Sequence, residues 1–531
     1  MTTPGTRTPG LPSPRTAEVS AGPAHPASAR KRPGPAARAL GLLVPLLPAA
    51  AMLGLGLWQL DARGPWRDEA ATYEVAIRSW GQIWELLHHV DAVHGLYYLL
   101  MHGVFLVFGP GLTALRMPSV IAMAVAAGGV ALIGRRLVGP AVGVTAGLLL
   151  AVTPFVSKYA QEGRSYALVT AGVVITCLLL LRAWERPTWP RWAAYGAMVL
   201  LVGLLHEFAL LIVVAHGATV LLTRGSGRRV RLGWLAAAAG AGLCAVPLAL
   251  FTSTQSAQVD WLPPVTWQTP WSLLQSFAGP EQAALITLLV LAGLGALVPR
   301  RRPGAPTPLL LLALPWLLLP PALLMTASLN TPLYYDRYVL YSVPGLVLLA
   351  AAGLDSAVRG VGRLVAGVPR ARGTAVLTAV ATVLGVALAG GVLSLEMSSQ
   401  RFERTSMARA DDLRAAAETF KLSARPGDAV VFSPANRRAM EKLYPEAFHG
   451  TVDVLLERSA VASASLTGEE VEPTRIEGLL PAYARVWVVA ARGRYATFSN
   501  ATELLKVLHT HYRLAEQTGV RGFAIQLWIH R

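Results

Sequence analysis

About eleven apolar runs dictate most of what this chain can fold into. They lie at 39–60, 112–134, 141–156, 167–181, 192–205, 208–222, 232–251, 283–298, 309–326, 338–354 and 374–395. A helix of roughly 20 apolar residues crosses the hydrocarbon core of a bilayer. Repetition of such runs predicts a polytopic α-helical membrane protein of about 11 spans. Hydrophobic residues are 53% and charged residues 15% of 531, a balance too apolar for a soluble chain of this length.

Charge orients the runs. The formal net charge is +17, but its basic residues fall between apolar runs, as cytoplasmic loops require. Arg30, Lys31, Arg32 and Arg38 precede the first run and predict a cytoplasmic N-terminus. The basic clusters at 135–136, 182–191, 224–231, 300–302 and 359–372 then share that side. No basic stripe interleaved with aromatics occurs, so nucleic acid is not an expected partner. Residues 1–38, rich in Pro, Ala, Ser, Thr and Arg, read as a disordered basic cytoplasmic tail. The first run is long enough to stay as an uncleaved anchor. Cys177 and Cys244 both lie in apolar runs, which argues against a disulfide framework and a Cys-based metal site.

Residues 61–112 form the first outer loop under this topology. Within it, 68–80 and 83–90 predict short amphipathic helices at the interface. The aromatic stretch 94–108 is short for a span. Were it to span, Arg135 and Arg136 would lie outside, so it is read as interfacial or re-entrant. From 396 the composition becomes mixed and charged. Strands at 428–432, 485–489 and 523–529 and helices at 411–420 and 501–509 predict a small α/β domain, extracytoplasmic by parity. The expected domains are therefore 1–38, 39–395 and 396–531.

The outer loops collect polar residues that are unusual in so apolar a sequence. They include Asp68, Glu69, Asp91, His94, Glu162, Arg164, His206 and Arg337. Asp68 and Glu69 sit together just after the first run, where charge near lipid is costly and tends to mark function. Such a set suits a reaction on a lipid-linked phosphate. Sugar transfer from a polyprenyl phosphate needs one carboxylate to take the acceptor's proton. It also needs cations to hold the phosphate as charge builds, a task for Arg. Plainer readings stand beside this one. Asp68, Asp91 and His94 fit helix caps, Glu162 and Arg164 a mutual ion pair, Arg337 an interfacial cation.

Several stretches resemble the GT-C membrane glycosyltransferases, in the branch of protein O-mannosyltransferases and aminoarabinose transferases (glycosyltransferase family 39). Trp66-Arg67-Asp68-Glu69-Ala70 is similar to the first-loop Asp-Glu motif. Asp91-Ala92-Val93-His94-Gly95-Leu96-Tyr97-Tyr98 resembles D-x-x-H-P-P-L-Y-Y, with Gly95 in place of Pro. Leu115-Arg116-Met117-Pro118-Ser119 follows as it does in the family. Tyr159 to Leu168 resembles Y-x-Q-E-A-R-S-Y-A-L, with Gly163 in place of Ala. Tyr335-Asp336-Arg337-Tyr338 resembles the late R-Y stretch. The likeness covers roughly residues 40–355.

The resemblance implies a polyprenyl-phosphate sugar donor, an outer-face active site and an inverting reaction. Asp68 and Glu69 are then the catalytic candidates, with Arg164 and Arg337 binding donor phosphate. Asp91, His94, Glu162 and His206 would order sugar and acceptor. Mannose is the expected sugar; the acceptor, whether protein, glycan or lipid, stays open. No metal site is expected from the scattered acids, although some GT-C relatives use a divalent cation. The expected location is a bacterial cytoplasmic membrane. Two rivals remain at this point: a flippase or transporter of a lipid-linked saccharide, which favours a midplane site and repeats, and a non-catalytic scaffold for envelope assembly.

Overall fold

Among the described residues, six helices are long and apolar enough to cross a membrane: Leu112–Leu137, Tyr166–Glu185, Arg228–Ser253, Leu309–Ala327, Asp336–Leu364 and Gly373–Leu395. The structure is a computed structural model that describes residues 1–3, 5, 35–255, 262–299, 301–364, 370–492 and 501–531. Two bent pairs bring the number to as many as eight. They are Pro140–Val152 with Pro154–Ala160, bent by 67°, and Thr269–Ala278 with Gln282–Leu297, bent by 93°. Shorter apolar helices occupy Gly41–Leu57, Ala92–Phe108, Trp189–Leu205 and Glu207–Leu222. The expectation of about 11 spans exceeds eight because three of its runs fall on these shorter helices. Most of the expected tail 1–38 lies outside the described residues.

Contacts divide the chain into two units, Met1–Gly41 and Leu42–Arg531. In the second, small residues let helices touch. A Cβ on Gly353 would collide with the Leu291 carbonyl oxygen, and one on Gly295 with the Leu349 oxygen. The basic clusters meet at one end of the bundle. Arg136 pairs with Glu185 at 2.6 Å, and the Arg302 backbone N–H donates to the Leu137 carbonyl at 2.7 Å.

The loop after the first apolar run carries two short helices, Arg67–Ala76 and Trp80–His89. The expected boundary at residue 80 falls earlier because Ser79 and Gln82 form a reciprocal capping box that starts the second helix at Trp80. The apolar stretch after them forms Gly95–Phe108, which buries Tyr97, Tyr98, Met101, His102 and Phe105.

After the last span, the described residues form seven strands in chain order: β1 Ala429–Ser433, β2 Val452–Asp453, β3 Leu456–Arg458, β4 Glu469–Glu470, β5 Arg485–Ala491, β6 Tyr512–Val520 and β7 Phe523–His530. The main sheet runs β2-β1-β5-β7-β6, with β1 parallel to β2 and β5, and β7 antiparallel to β5 and β6. Val430, Phe432, Trp487 and Val489 face helix Leu413–Ser423. Ala429, Val431, Val486 and Val488 pack with Leu504, Val507 and Leu508 of helix Ala501–His511. The central strands are covered on both faces, which is why they read as continuous apolar runs. The fold is thus a helical membrane bundle with a small α/β unit. Helix Ala439–Leu443 of that unit packs against helix Arg67–Ala76 of the loop after the first apolar run.

Candidate active site

The site is built around a carboxylate that is not itself available for chemistry. Glu69 is fully buried. Arg116, in the first turns of Leu112–Leu137, donates from Nε to Glu69 Oε1 at 2.8 Å and from Nη2 to Oε2 at 2.7 Å. The Gly163 backbone N–H adds a third bond to Oε1 at 2.9 Å. Burial pushes the Glu69 carboxyl up, but Arg116 and Arg63 outweigh it and pull it down to about 2. Arg116 also donates to the carbonyls of Leu60, Arg63 and Gly64. One ion pair therefore ties the loop after the first apolar run, a span and the turn 161–164 together. Glu69, expected in the chemistry, has both carboxylate oxygens engaged by Arg116 and the Gly163 N–H.

Gly163 has a steric reason for being glycine. A Cβ there would meet Leu115 side-chain atoms at 2.5 to 3.0 Å. Leu115 sits in the space that an alanine would need.

Asp68, one residue earlier, points elsewhere and keeps its side chain 21% exposed. Its Oδ2 lies 3.1 Å from Arg337 Nη2, and its Oδ1 lies 3.7 Å from Arg67 Nε. Asp68 is the second residue of helix Arg67–Ala76, not its cap. Acidic residues in a first turn are favoured by the helix dipole. The N-terminus is instead served from far along the chain, because the Arg67 backbone N–H donates to Asp411 Oδ1 at 3.3 Å.

Arg164 reaches the same place from the turn after the bent helix Pro154–Ala160. Its Nη1 donates to the Asp68 carbonyl at 3.4 Å and to Thr72 Oγ1 at 3.3 Å. Its Nη2 lies 2.7 Å from His94 Nε2. Since a guanidinium only donates, His94 Nε2 accepts and its proton sits on Nδ1. Arg337 is enclosed by rings: its guanidinium carbon lies 4.7 Å from the centroid of Tyr335, 5.3 Å from Tyr166, 5.4 Å from Trp66 and 5.8 Å from Tyr338. Aromatic faces hold a cation without neutralising it, which leaves it able to meet an anion.

The other expected residues pack around these three. Asp91 accepts from the Tyr98 hydroxyl, and burial raises its carboxyl. Asp91 adopts a left-handed backbone, φ 62°, and neither Asp91 nor His94 makes a side-chain cap. Their reading as simple caps does not hold. Glu162 is buried and lies 2.8 Å from Arg409 Nη2; it does not pair with Arg164. Burial raises the Glu162 carboxyl, with Arg409 and Arg337 opposing. His206 packs among Tyr166, Phe208 and Tyr338, with centroids 4.8 to 5.7 Å away. Burial lowers its imidazole to about 3, so it is neutral at physiological pH. Beside Asp336, a cavity of about 160 Å³ is lined by Pro263, Leu273, Ser276, Tyr334 and Tyr335.

Asp68, Arg164 and Arg337 thus come together, with His94, Asp91 and His206 around them. Glu69 and Glu162 stand behind, each held by its own arginine. Arg116, Arg63 and Arg409 were not among the expected site residues. Arg116 had a visible signal, a charge at the start of an apolar run. Arg409 had none, since it follows the last span. Among the described residues, no group of three or more His, Cys, Asp or Glu side chains is arranged to hold a metal ion.

Residues 96–251 match the family model described as dolichyl-phosphate-mannose-protein mannosyltransferase. Over 92% of this chain and 98% of the other, the structure is similar to ArnT from Cupriavidus metallidurans bound to undecaprenyl phosphate, at 14% identity and a TM-score of 0.51. The fold is that of the GT-C glycosyltransferases. Two further GT-C structures align more loosely. Arabinofuranosyltransferase AftD from Mycobacteria shares 15% identity over 93% of this chain and 40% of its own, with a TM-score of 0.46. The Archaeoglobus fulgidus oligosaccharyltransferase shares 12% identity over 91% of this chain and 74% of its own, with a TM-score of 0.43. No curated protein sequence matches the chain. The family match contains Glu162, Arg164 and His206; Asp68, Asp91, His94 and Arg337 lie outside it.

Proposed function

We propose that the protein is a membrane glycosyltransferase that moves a sugar, mannose first among candidates, from a polyprenyl phosphate to an acceptor on the outer membrane face. The observation that carries this reading is the meeting of two arginines at Asp68, Arg337 on its partly exposed carboxylate and Arg164 on its main-chain carbonyl. An acceptor hydroxyl attacks the anomeric carbon from the face opposite the phosphate. The new glycosidic bond forms as the carbon–oxygen bond to phosphate breaks, so the configuration inverts. Asp68 takes the hydroxyl proton, and polyprenyl phosphate leaves as an anion. Arg337 and Arg164 stabilise the charge that grows on the phosphate. The leaving group needs no strong acid, which fits a site whose two histidines are uncharged partners and not proton donors.

His94, His206 and Asp91 would orient sugar and acceptor. The basic clusters gathered at the other end of the bundle support an external position for the site, with residues 396–531 on the same side. The family description of the matched stretch and the undecaprenyl phosphate bound to ArnT support a lipid-phosphate donor. Purified protein given labelled polyprenyl-phosphate mannose and a membrane acceptor fraction should release polyprenyl phosphate and a glycosylated product. Movement of intact donor across a vesicle bilayer, without hydrolysis or transfer, would instead make it a flippase.

A further inference from the structure

The segment 400–411 follows the last span and lies outside the family-matched stretch, yet it lines the proposed site. Arg404 donates to the carbonyls of Leu55 at 2.7 Å and Trp58 at 3.1 Å, and to Ser157 Oγ at 2.9 Å. Asp411 accepts from the Arg67 backbone N–H and pairs with Arg437 at 3.0 Å. Between them Arg409, with its side chain 5% exposed, reaches inward to Glu162, and its guanidinium carbon lies 5.7 Å from the Trp66 centroid. Trp66 is also one of the rings around Arg337.

The charges around Glu162 come from several elements. Arg409 is its strongest partner, followed by Arg337, with Glu69 and Arg63 behind. Glu69 is committed to Arg116. Arg337 is itself paired with Asp68 and shares the Trp66 ring with Arg409, so the two ion pairs, Arg409 with Glu162 and Arg337 with Asp68, flank one aromatic side chain. A buried carboxylate that loses its cation draws the next one or takes up a proton.

We propose that Arg409 is a positioning residue of the active site: by holding Glu162 and the Trp66 ring, it leaves Arg337 to Asp68 and to the donor phosphate. The inference rests on the function proposed above. It gives the α/β unit a part in catalysis, since that unit's leading segment allocates charge inside the membrane-proximal site.

The test compares Arg409→Gln, Arg409→Lys and the double variant Arg409→Gln/Glu162→Gln with the wild type, using labelled polyprenyl-phosphate mannose and unfolding midpoints for each. Arg409→Gln should lower donor kcat/KM by roughly 10- to 100-fold, the range of coupling between contacting charges. Arg409→Lys should lose less. The double variant should regain most of the loss, because the buried carboxylate left without its cation is then uncharged, while Glu403, the other carboxylate beside Arg409 at 3.7 Å, keeps Lys158. A packing role predicts no such rescue. If Arg409→Gln does not fold, the double variant and Arg409→Lys carry the comparison, since a buried ion pair replaced on both sides is tolerated better than one broken. Wild-type turnover by Arg409→Gln, or a double variant with no more activity than Arg409→Gln or, where that does not fold, than Arg409→Lys, overturns the proposal. Folded wild-type protein that transfers no sugar from any polyprenyl-phosphate donor overturns the functional reading itself.

Discussion

Arg116 closes on both oxygens of Glu69, at 2.8 and 2.7 Å, and neither side chain has any exposed surface. Glu69→Gln leaves that guanidinium buried without its counter-charge. Breaking such a pair costs about 3–5 kcal/mol. Unfolding of the detergent-purified variant should show that loss, with the first-loop helix among the first parts to expose its amides to exchange.

Asp68→Asn should behave differently. The side chain is partly exposed and Asn keeps an acceptor for the buried Arg337, so the loss of stability should be smaller than for Glu69→Gln, about 1–3 kcal/mol. Turnover should fall by roughly 10²–10⁴-fold, the usual worth of a positioned base. Single-turnover transfer assays, with donor binding measured separately, check both halves.

Arg337→Gln should lower kcat by roughly 10²–10³-fold, as removal of a charge-stabilising donor does at comparable sites. Arg337→Lys should not restore it, because an ammonium lacks the planar fork that stacks among four rings. Competition by free polyprenyl phosphate should weaken in parallel, which separates a phosphate contact from a purely structural ring cage.

Glu69 also sets a pH dependence of stability. Its carboxyl is lowered from the ordinary 4.5 to about 2 in the folded protein. A carboxylate with a depressed folded value contributes stability above its unfolded value, and that contribution is lost as pH falls through the folded one. Wild-type protein should therefore lose stability relative to Glu69→Gln between about pH 4.5 and pH 2. Parallel unfolding curves for the two across that range would show that the pair contributes nothing.

Gly163→Ala adds only a methyl group, yet it should harm. The added methyl meets Leu115 at 2.5 Å, closer than side chains pack. A cost of about 1–3 kcal/mol is expected from overpacking, and Gly163→Ala combined with Leu115→Ala should recover part of it.

Much of this was legible in the chain. Apolar length marked the spans, and the three buried strands at 429–433, 485–491 and 523–530 stood out because both faces are covered. β6 went unseen because it lies at the sheet edge with mostly exposed residues, leaving no apolar pattern to read. At the site, Asp68, Arg164 and Arg337 announced themselves as charges beside apolar runs. The division of labour between Asp68 and Glu69 did not. Adjacent residues on a helix point about 100° apart, and only the position of Arg116 decides which carboxylate is sequestered. Arg409 was invisible for a similar reason, since its partner lies 247 positions away.

Arg404 has a practical consequence for anyone redesigning this protein. Its donors complete the carbonyls of Leu55 and Trp58, where the first membrane helix runs out. A splice made directly after the last span would take the Arg404 donor from the Leu55 carbonyl and from Ser157, and leave the Trp58 carbonyl to Gln161 alone. Grafting a foreign outer module onto this scaffold should therefore begin beyond residue 412, so that the connecting segment travels with the membrane half.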